Sequence, residues 1–132
     1  MTLKTLKVMG KKRGMVQLFD ATGCAVPCTV IEVEPNIVTQ VKTEATDGYM
    51  AIQSSFEKVT AKDSRRLEAR VSKPLRGHFT KANVEPRKFL TESRLENVEE
   101  FELGQEFGVE VFTESCYVDV SAVSIGKGYQ GV

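Results

Sequence analysis

The stretch IVTQVKTEATDGYMAIQ, residues 37–53, decides the fold, because it has the pattern of two strands joined by a turn. The flanks of this stretch alternate apolar with polar residues, as expected for strands with one buried face. Between them, Asp47 and Gly48 form a strong hairpin signal, since an Asp-Gly pair accepts the positive φ of a tight turn. The sequence therefore predicts an antiparallel hairpin with a tight turn at this pair.

Further strand patterns flank this hairpin on both sides. The additional predicted strands are 15–19, 26–33, 88–95, 107–112 and 117–123. The segments DATG at 20–23 and LGQ at 103–105 supply turns, and Asn97 is expected to cap one helical turn over 97–100. Short strands separated by regular turns predict a mainly β fold, namely a small barrel that carries an insertion.

The insertion is predicted at 61–86, within a single domain that spans 1–132. Its first part, 61–70, is charged and weakly patterned, which indicates an excursion from the sheet. Pro74 suits the first turn of a short helix that runs to about residue 82, because its missing N–H costs nothing there. Asn83 then stands where a left-handed stop residue is wanted.

Composition limits the class of protein. A chain of 132 residues suits one domain, and 41% hydrophobic with 27% charged residues is typical of a folded protein. No apolar run approaches the roughly 20 residues that cross a membrane, and the start, MTLKTLK, is too polar for a secretory signal. The three cysteines leave one unpaired, which argues against a disulfide framework. We therefore expect a cytoplasmic protein without a membrane partner.

The formal net charge of zero conceals a dipolar chain. Segment 62–88 holds nine cations and three anions, whereas 91–119 holds nine anions and one cation. The local charges are therefore +6 and −8. A block that gathers guanidinium and ammonium groups around glycine, proline, histidine and phenylalanine is suited to a polyanion. RNA is the first candidate partner.

Two basic motifs carry this expectation. GKKRG at 10–14 sets three cations between glycines, which let a backbone approach a phosphate closely. KPLRGHFTK at 73–81 places cations near a helix start, where free N–H groups also favour phosphate. Within it, His78 and Phe79 could stack on a base or sugar, or Phe79 could instead anchor the helix in the core.

Three other patterns suggest chemistry that we set aside. GKGYQG at 126–131 matches a dinucleotide fingerprint, but the surrounding chain offers hairpins rather than the crossover helix that the fingerprint needs. A zinc site or a nucleophile–base pair would have to join segments of different character; its members would be Cys24, Cys28, Cys116 and His78. The acidic run 92–114 is better explained as a solvated sheet face. We expect no cofactor, no metal, no small-molecule substrate and no enzymatic activity.

The whole pattern resembles the bacterial-type large-subunit ribosomal protein three family, from about residue 9 to residue 132. The matching motifs are GKKxGM at 10–15 with Phe19, PxTVIE at 27–32, VTQVK at 38–42, DGYxAIQ at 47–53, KPxxGHFxKA at 73–82, FxxGQ at 101–105 and GKGYQG at 126–131. Two departures are Asn83, where the family usually has glycine, and Ile125, where it commonly has lysine. The number of ordered matches makes the resemblance specific.

This resemblance implies a six-stranded translation-protein-type barrel with an inserted short-helix element. It also implies a long basic extension that threads through RNA towards the peptidyl-transferase region, with 124–132 as its root. The family continues beyond residue 132 with further barrel strands, so closure of the barrel is left open. Its members are early-binding assembly proteins of the large ribosomal subunit rather than enzymes.

The expected partners are large-subunit ribosomal RNA and neighbouring large-subunit ribosomal proteins, in a cytoplasmic ribosome. The candidate RNA-binding residues are Lys11, Lys12, Arg13, Arg65, Arg66, Lys73, Arg76, His78, Lys81, Lys127, Gly128 and Tyr129. Pairing of Lys11, Arg76 and Lys127 with the protein's own carboxylates would speak against this assignment. The alternative is a non-ribosomal β-barrel module that binds protein through its acidic face or an unpaired strand edge.

Overall fold

A computed structural model describes residues 6–113 and 117–131 of the chain. Over these residues the protein is mainly β, with three short helices and one 3-10 turn. In chain order the elements are β1 (Lys11–Phe19), β2 (Ala25–Glu32), β3 (Asn36–Lys42), α1 (Glu44–Asp47), β4 (Ala51–Lys58), α2 (Ser64–Arg70), α3 (Lys73–Lys81), β5 (Arg87–Arg94), β6 (Glu106–Phe107) and the 3-10 turn Val109–Phe112.

The strands form two antiparallel sheets. Among residues 6–113 and 117–131, strands β1 and β2 pair only with each other, and the second sheet has the order β5-β4-β3-β6. The mainly β prediction is confirmed. Over the described residues, however, neither sheet closes into a barrel, so the predicted six-stranded barrel is not confirmed.

The predicted hairpin at 37–53 exists, but its turn differs from the expectation. Strands β3 and β4 pair antiparallel, with Val41 opposite Ile52. The prediction of a tight turn at Asp47 and Gly48 was wrong, because Glu44–Asp47 forms a helical turn between the strands. Gly48 has φ 78° and closes that turn with its N–H 3.0 Å from the Glu44 carbonyl. The glycine supplies positive φ as predicted, but as a helix stop.

The C-terminal third contains less strand than predicted. The strand expected at 107–112 ends at Phe107 and continues as the 3-10 turn. Residues 117–123 join no sheet, and Tyr117 is 95% exposed. Alternation predicts which face of a strand would be buried, but a strand also needs a partner for its N–H and C=O groups. Asn97 caps a turn, as its Oδ1 accepts from the Glu99 N–H at 2.9 Å, although that turn is not helical.

The two faces of the larger sheet carry different cover. Ile52 and Gln53 are neighbours on β4, so their side chains point to opposite faces. Ile52 belongs to the apolar core, and apolar residues of segment 91–119, the acidic segment, pack in or against that core. The core and its surrounding apolar residues are Leu6, Val38, Ile52 and Val98, with Val41, Leu95, Phe101, Phe107 and Val111. Gln53 instead contacts His78 of α3, so the basic insertion lies on the other face.

The insertion predicted at 61–86 consists of two helices, α2 and α3. Pro74 lies in the first turn of α3, as predicted. Asn83 follows the helix with φ 56°, the left-handed conformation expected of the stop residue. Segment 61–70, predicted only to leave the sheet, forms α2 over its last seven residues.

Candidate nucleic-acid interface

The insertion with helices α2 and α3 carries a dense group of exposed cations. The exposed cations of this insertion are Lys62, Arg65, Arg66, Arg70, Lys73 and Lys81. Arg76 is half-buried, and its Nη1 lies 2.9 Å from Glu68 Oε1, which joins the two helices. Arg66 Nε is 3.8 Å from Asp63, at the limit of an ion pair. The insertion therefore keeps a largely unneutralised basic surface.

His78 and Phe79 hold α3 against the sheet. Phe79 is fully buried, so it cannot stack on a base in this conformation, and the alternative role as an anchor is confirmed. His78 lies beside it, with its Nε2 2.6 Å from Gln53 Oε1 of β4. Gln53 Oε1 also accepts from the Thr39 hydroxyl at 3.1 Å. The His78 ring, predicted to face RNA, thus has a partner within the protein.

A cluster of charged and polar groups ties three strands together on the same face as Gln53. Lys42 Nζ lies 2.8 Å from Glu92 Oε1, and the Tyr49 hydroxyl donates to Glu92 Oε2 at 2.9 Å. The hydrogen bond from Lys42 is the main reason that the pKa of Glu92 is lowered. The same bond, together with Tyr49, raises the pKa of Lys42 above its usual range. Gln53 Nε2 of β4 also donates to Glu92 Oε1 at 3.5 Å, so the cluster links β3, β4 and β5.

The N-terminal basic motif is partly neutralised by the protein itself. Lys11 Nζ lies 3.5 Å from Glu57, and Arg13 Nε donates to Glu32 at 2.7 Å. Lys12 is exposed and has no ion pair among the described residues. A Cβ on Gly10 would lie 2.7 Å from Ile31 Cγ2, so the close approach allowed by this glycine is to the protein's own strand.

The glycine-rich segment 126–131 is exposed and forms no helix or strand. Gly128 has φ 79°, and Tyr129 is 93% exposed. No ion pair of Lys127 is recorded over 6–113 and 117–131. Of the three cations chosen as a test of the RNA assignment, Lys11 and Arg76 are therefore paired internally and Lys127 is not. A basic surface for RNA therefore remains, but it has fewer unpaired cations than the sequence indicated.

The insertion also forms an open depression of about 320 Å³, between the end of β4 and α2. Its lining residues are Thr60, Ala61, Lys62, Arg66 and Arg70. The Arg70 guanidinium is held in place, as its Nη1 donates to the Thr60 carbonyl at 2.6 Å. Lys62 and Arg70 belong to the basic segment 62–88 but were not among the predicted RNA-binding residues. Both lie four residues from Arg66, a spacing that puts side chains on one face of a helix and could have indicated a shared site.

The described residues contain no group of three or more histidine, cysteine or acidic side chains that could hold a metal. Cys24 is exposed and Cys28 half-buried, while Cys116 lies outside the described residues. Among the helices that the structure describes, none has the length and apolar character needed to cross a membrane.

Comparison with known proteins supplies independent evidence. No protein-family model matches the chain. It is 59% identical over 127 residues to the large ribosomal subunit protein uL3 of Protochlamydia amoebophila, covering 96% of this chain and 54% of that protein. It is 47% identical over 124 residues to the protein of the same name from Carboxydothermus hydrogenoformans, covering 94% and 56%. It is also 49% identical over 125 residues to that of Lysinibacillus sphaericus, covering 95% and 56%.

The chain thus spans about half the length of the curated relatives that it matches. The similarity covers the hairpin, the basic insertion and the acidic segment alike, since it extends over nearly the whole chain. The resemblance predicted from the motifs is therefore confirmed: along nearly its whole length, the chain matches the N-terminal portion of the uL3 family of large ribosomal subunit proteins.

Proposed function

We propose that the chain binds large-subunit ribosomal RNA as a structural, non-enzymatic constituent of the large ribosomal subunit. The observation that carries the proposal is the basic surface of α2 and α3, in a chain up to 59% identical to proteins named as large ribosomal subunit proteins. Early assembly near the peptidyl-transferase region, contact with neighbouring ribosomal proteins and a place in the cytoplasmic ribosome are parts of the same proposal. We also propose that the barrel is completed by sequence that the relatives have outside the matched part.

The exposed lysines are suited to the electrostatic part of this binding. Lys12, Lys73, Lys81 and Lys127 have no recorded ion pair within the described residues, so each can approach a phosphate without losing an internal partner. A cation that neutralises a phosphate releases condensed counterions, and the affinity then falls as salt rises. Arg65 and Arg66 add exposed guanidinium groups on α2.

Other candidate residues would contribute differently. Lys11, Arg13 and Arg76 would have to exchange a carboxylate partner for a phosphate, which reduces the net gain of each contact. His78 would position α3 through Gln53 rather than contact RNA. Tyr129, next to the left-handed Gly128, is exposed enough to stack on a base once RNA orders the segment.

A salt titration tests the proposal. Filter binding of the full chain to large-subunit ribosomal RNA is measured between roughly 50 and 200 mM salt, where six phosphate contacts would weaken affinity about a thousandfold. Exchanging both Lys73 and Lys81 for alanine should reduce the slope of log K against log salt by about 2. The matched control replaces Lys58 and Lys88, which are paired with Glu85 and Glu57, and should leave the slope nearly unchanged. A wild-type slope near zero would refute RNA binding.

A further inference from the structure

We propose that the depression lined by Lys62, Arg66 and Arg70 binds a single phosphodiester group of the RNA. This inference rests on the proposed function and deepens it, because it replaces a diffuse basic surface with one defined contact. The three cations line one depression of about 320 Å³ together with Thr60 and Ala61, at the junction between the sheet and the helical insertion.

The spacing of the cations explains why they converge. Arg66 and Arg70 are one helical turn apart on α2, so their side chains share a face of the helix. Lys62 lies just before the helix, and it lines the same depression. Arg65, by contrast, is next to Arg66 and is not among the lining residues.

One of the three cations is already held in place. Arg70 Nη1 donates to the Thr60 carbonyl at 2.6 Å, which uses one of the five guanidinium donors and fixes the group beside the depression. A guanidinium that is ordered before binding loses less side-chain entropy when it meets a phosphate. Arg70 thus supplies a rigid donor, and Lys62 and Arg66 supply mobile charge around it.

The charge balance of the depression favours an anion. Over the described residues no carboxylate is recorded within ion-pair distance of Lys62 or Arg70, and Asp63 is 3.8 Å from Arg66. Elsewhere in the protein, Arg13 and Arg76 lie within 3.0 Å of a carboxylate, as do Lys42 and Lys58. Three cations around one depression repel each other, and a phosphate between them would remove that repulsion. A phosphate also accepts the planar, paired hydrogen bonds that arginine donates.

Convergence on one phosphate has a measurable signature. The salt slope counts the phosphates that are neutralised rather than the cations around them. Three cations that share one phosphate should together contribute a slope of about 1, whereas three separate contacts would contribute about 2 to 3. Single substitutions at a shared phosphate should also be non-additive, because the remaining cations still neutralise it in part.

The first experiment uses ribosomal RNA. Full-length chains carrying Lys62→Gln, Arg66→Gln and Arg70→Gln, singly and together, are titrated with large-subunit ribosomal RNA by filter binding. The triple variant should lower the slope by about 1 and the affinity at 100 mM salt by about tenfold. A loss of 2 or more with additive single effects, or no loss, would overturn the shared site while the proposed function stands. The matched control is the double variant Lys58→Gln/Lys88→Gln, whose side chains are paired with Glu85 and Glu57 and whose exchange should leave the slope nearly unchanged.

The second experiment separates the site from RNA binding itself. Inorganic pyrophosphate is titrated into the isotopically labelled full chain, and the backbone amides of Thr60 and Ala61 are followed by NMR. Saturable shifts that disappear in the triple variant support the site even if ribosomal RNA does not bind. Shifts that are absent, or that grow linearly and equally at Lys12 and Lys127, overturn it. Because Arg70→Gln removes the bond to Thr60, the double variant Lys62→Gln/Arg66→Gln, with circular dichroism as a check of folding, must give the same result.

Discussion

Replacing Phe79 by alanine should loosen the basic insertion from the sheet without removing any charge. Phe79 is fully buried on α3, and its neighbour His78 holds the sheet through Gln53. A phenylalanine side chain buries roughly 150–250 Å², which at about 25 cal/mol/Å² corresponds to about 4–6 kcal/mol of transfer free energy. Alanine keeps a small part of this, and core substitutions of this kind cost about 3–5 kcal/mol.

The structure supplies a matched control in Phe89 on β5. Phe89 is 46% exposed, and the Lys88 ammonium lies 4.9 Å from its ring centroid. About half of its area remains in water, so its replacement by alanine should cost about 1–2 kcal/mol, including the contact with Lys88. We therefore expect Phe79→Ala to lower the free energy of unfolding by at least about 2 kcal/mol more than Phe89→Ala.

Urea unfolding followed by circular dichroism measures the difference. Domains of this size are stable by about 5–15 kcal/mol, so the alanine variant can lose most of its stability. If Phe79→Ala does not fold, Phe79→Leu, with a smaller cost on the order of 1 kcal/mol, gives the comparison against Phe89→Leu. Equal losses for the two positions would refute the burial of Phe79 and, with it, the way in which α3 is anchored.

Three further predictions concern the frame around the site. Glu92→Gln should make stability depend less on acid. The pKa of Glu92 is lowered in the folded protein, so its carboxylate stabilises the fold above the ordinary pKa of 4.5, and this contribution is lost as the pH falls through the lowered pKa. Urea titrations at pH 7, 4.5 and 3 should therefore show a smaller decline in the free energy of unfolding for the variant than for the wild type. Asn83→Ala should cost about 1 kcal/mol because alanine tolerates φ 56° poorly, while Asn83→Gly is neutral or stabilising, and equal thermal midpoints would contradict this. Gly10→Ala should destabilise by about 1–3 kcal/mol through the 2.7 Å approach to Ile31, whereas Gly14→Ala, with open space around it, should cost less than 1 in the same assay.

Local signals in the sequence predicted much of the fold. The strand at 15–19, the helix that begins near Pro74 and the left-handed Asn83 depend on the conformational preferences of a few adjacent residues, and the structure contains all three. The strand predicted at 117–123 is absent because alternation does not guarantee a partner strand. The tight turn at Gly48 is replaced by a helical turn, since an Asp-Gly pair suits a helix end as well as a hairpin.

The candidate site shows the same division between local and distant information. The cations can be counted from the sequence, but which of them carry an internal partner cannot be read from it. Lys11 meets Glu57 across 46 positions, and Arg70 meets the carbonyl of Thr60 across ten. Such contacts depend on how the sheet and the insertion pack, so they decide which charges stay free only once the fold is known.

The separation of charge across the larger sheet has a consequence for how the molecule meets a partner. The acidic segment packs against the Ile52 side, and the basic helices lie on the Gln53 side, so the protein has an electric dipole roughly perpendicular to the sheet. Near a nucleic acid, whose charge is negative, this dipole orients the protein so that the basic helices face the nucleic acid before the first contact. The side that carries the acidic segment then faces away. Low salt should raise the rate of association in this one orientation, and the Ile52 side of the sheet would stay accessible to other molecules.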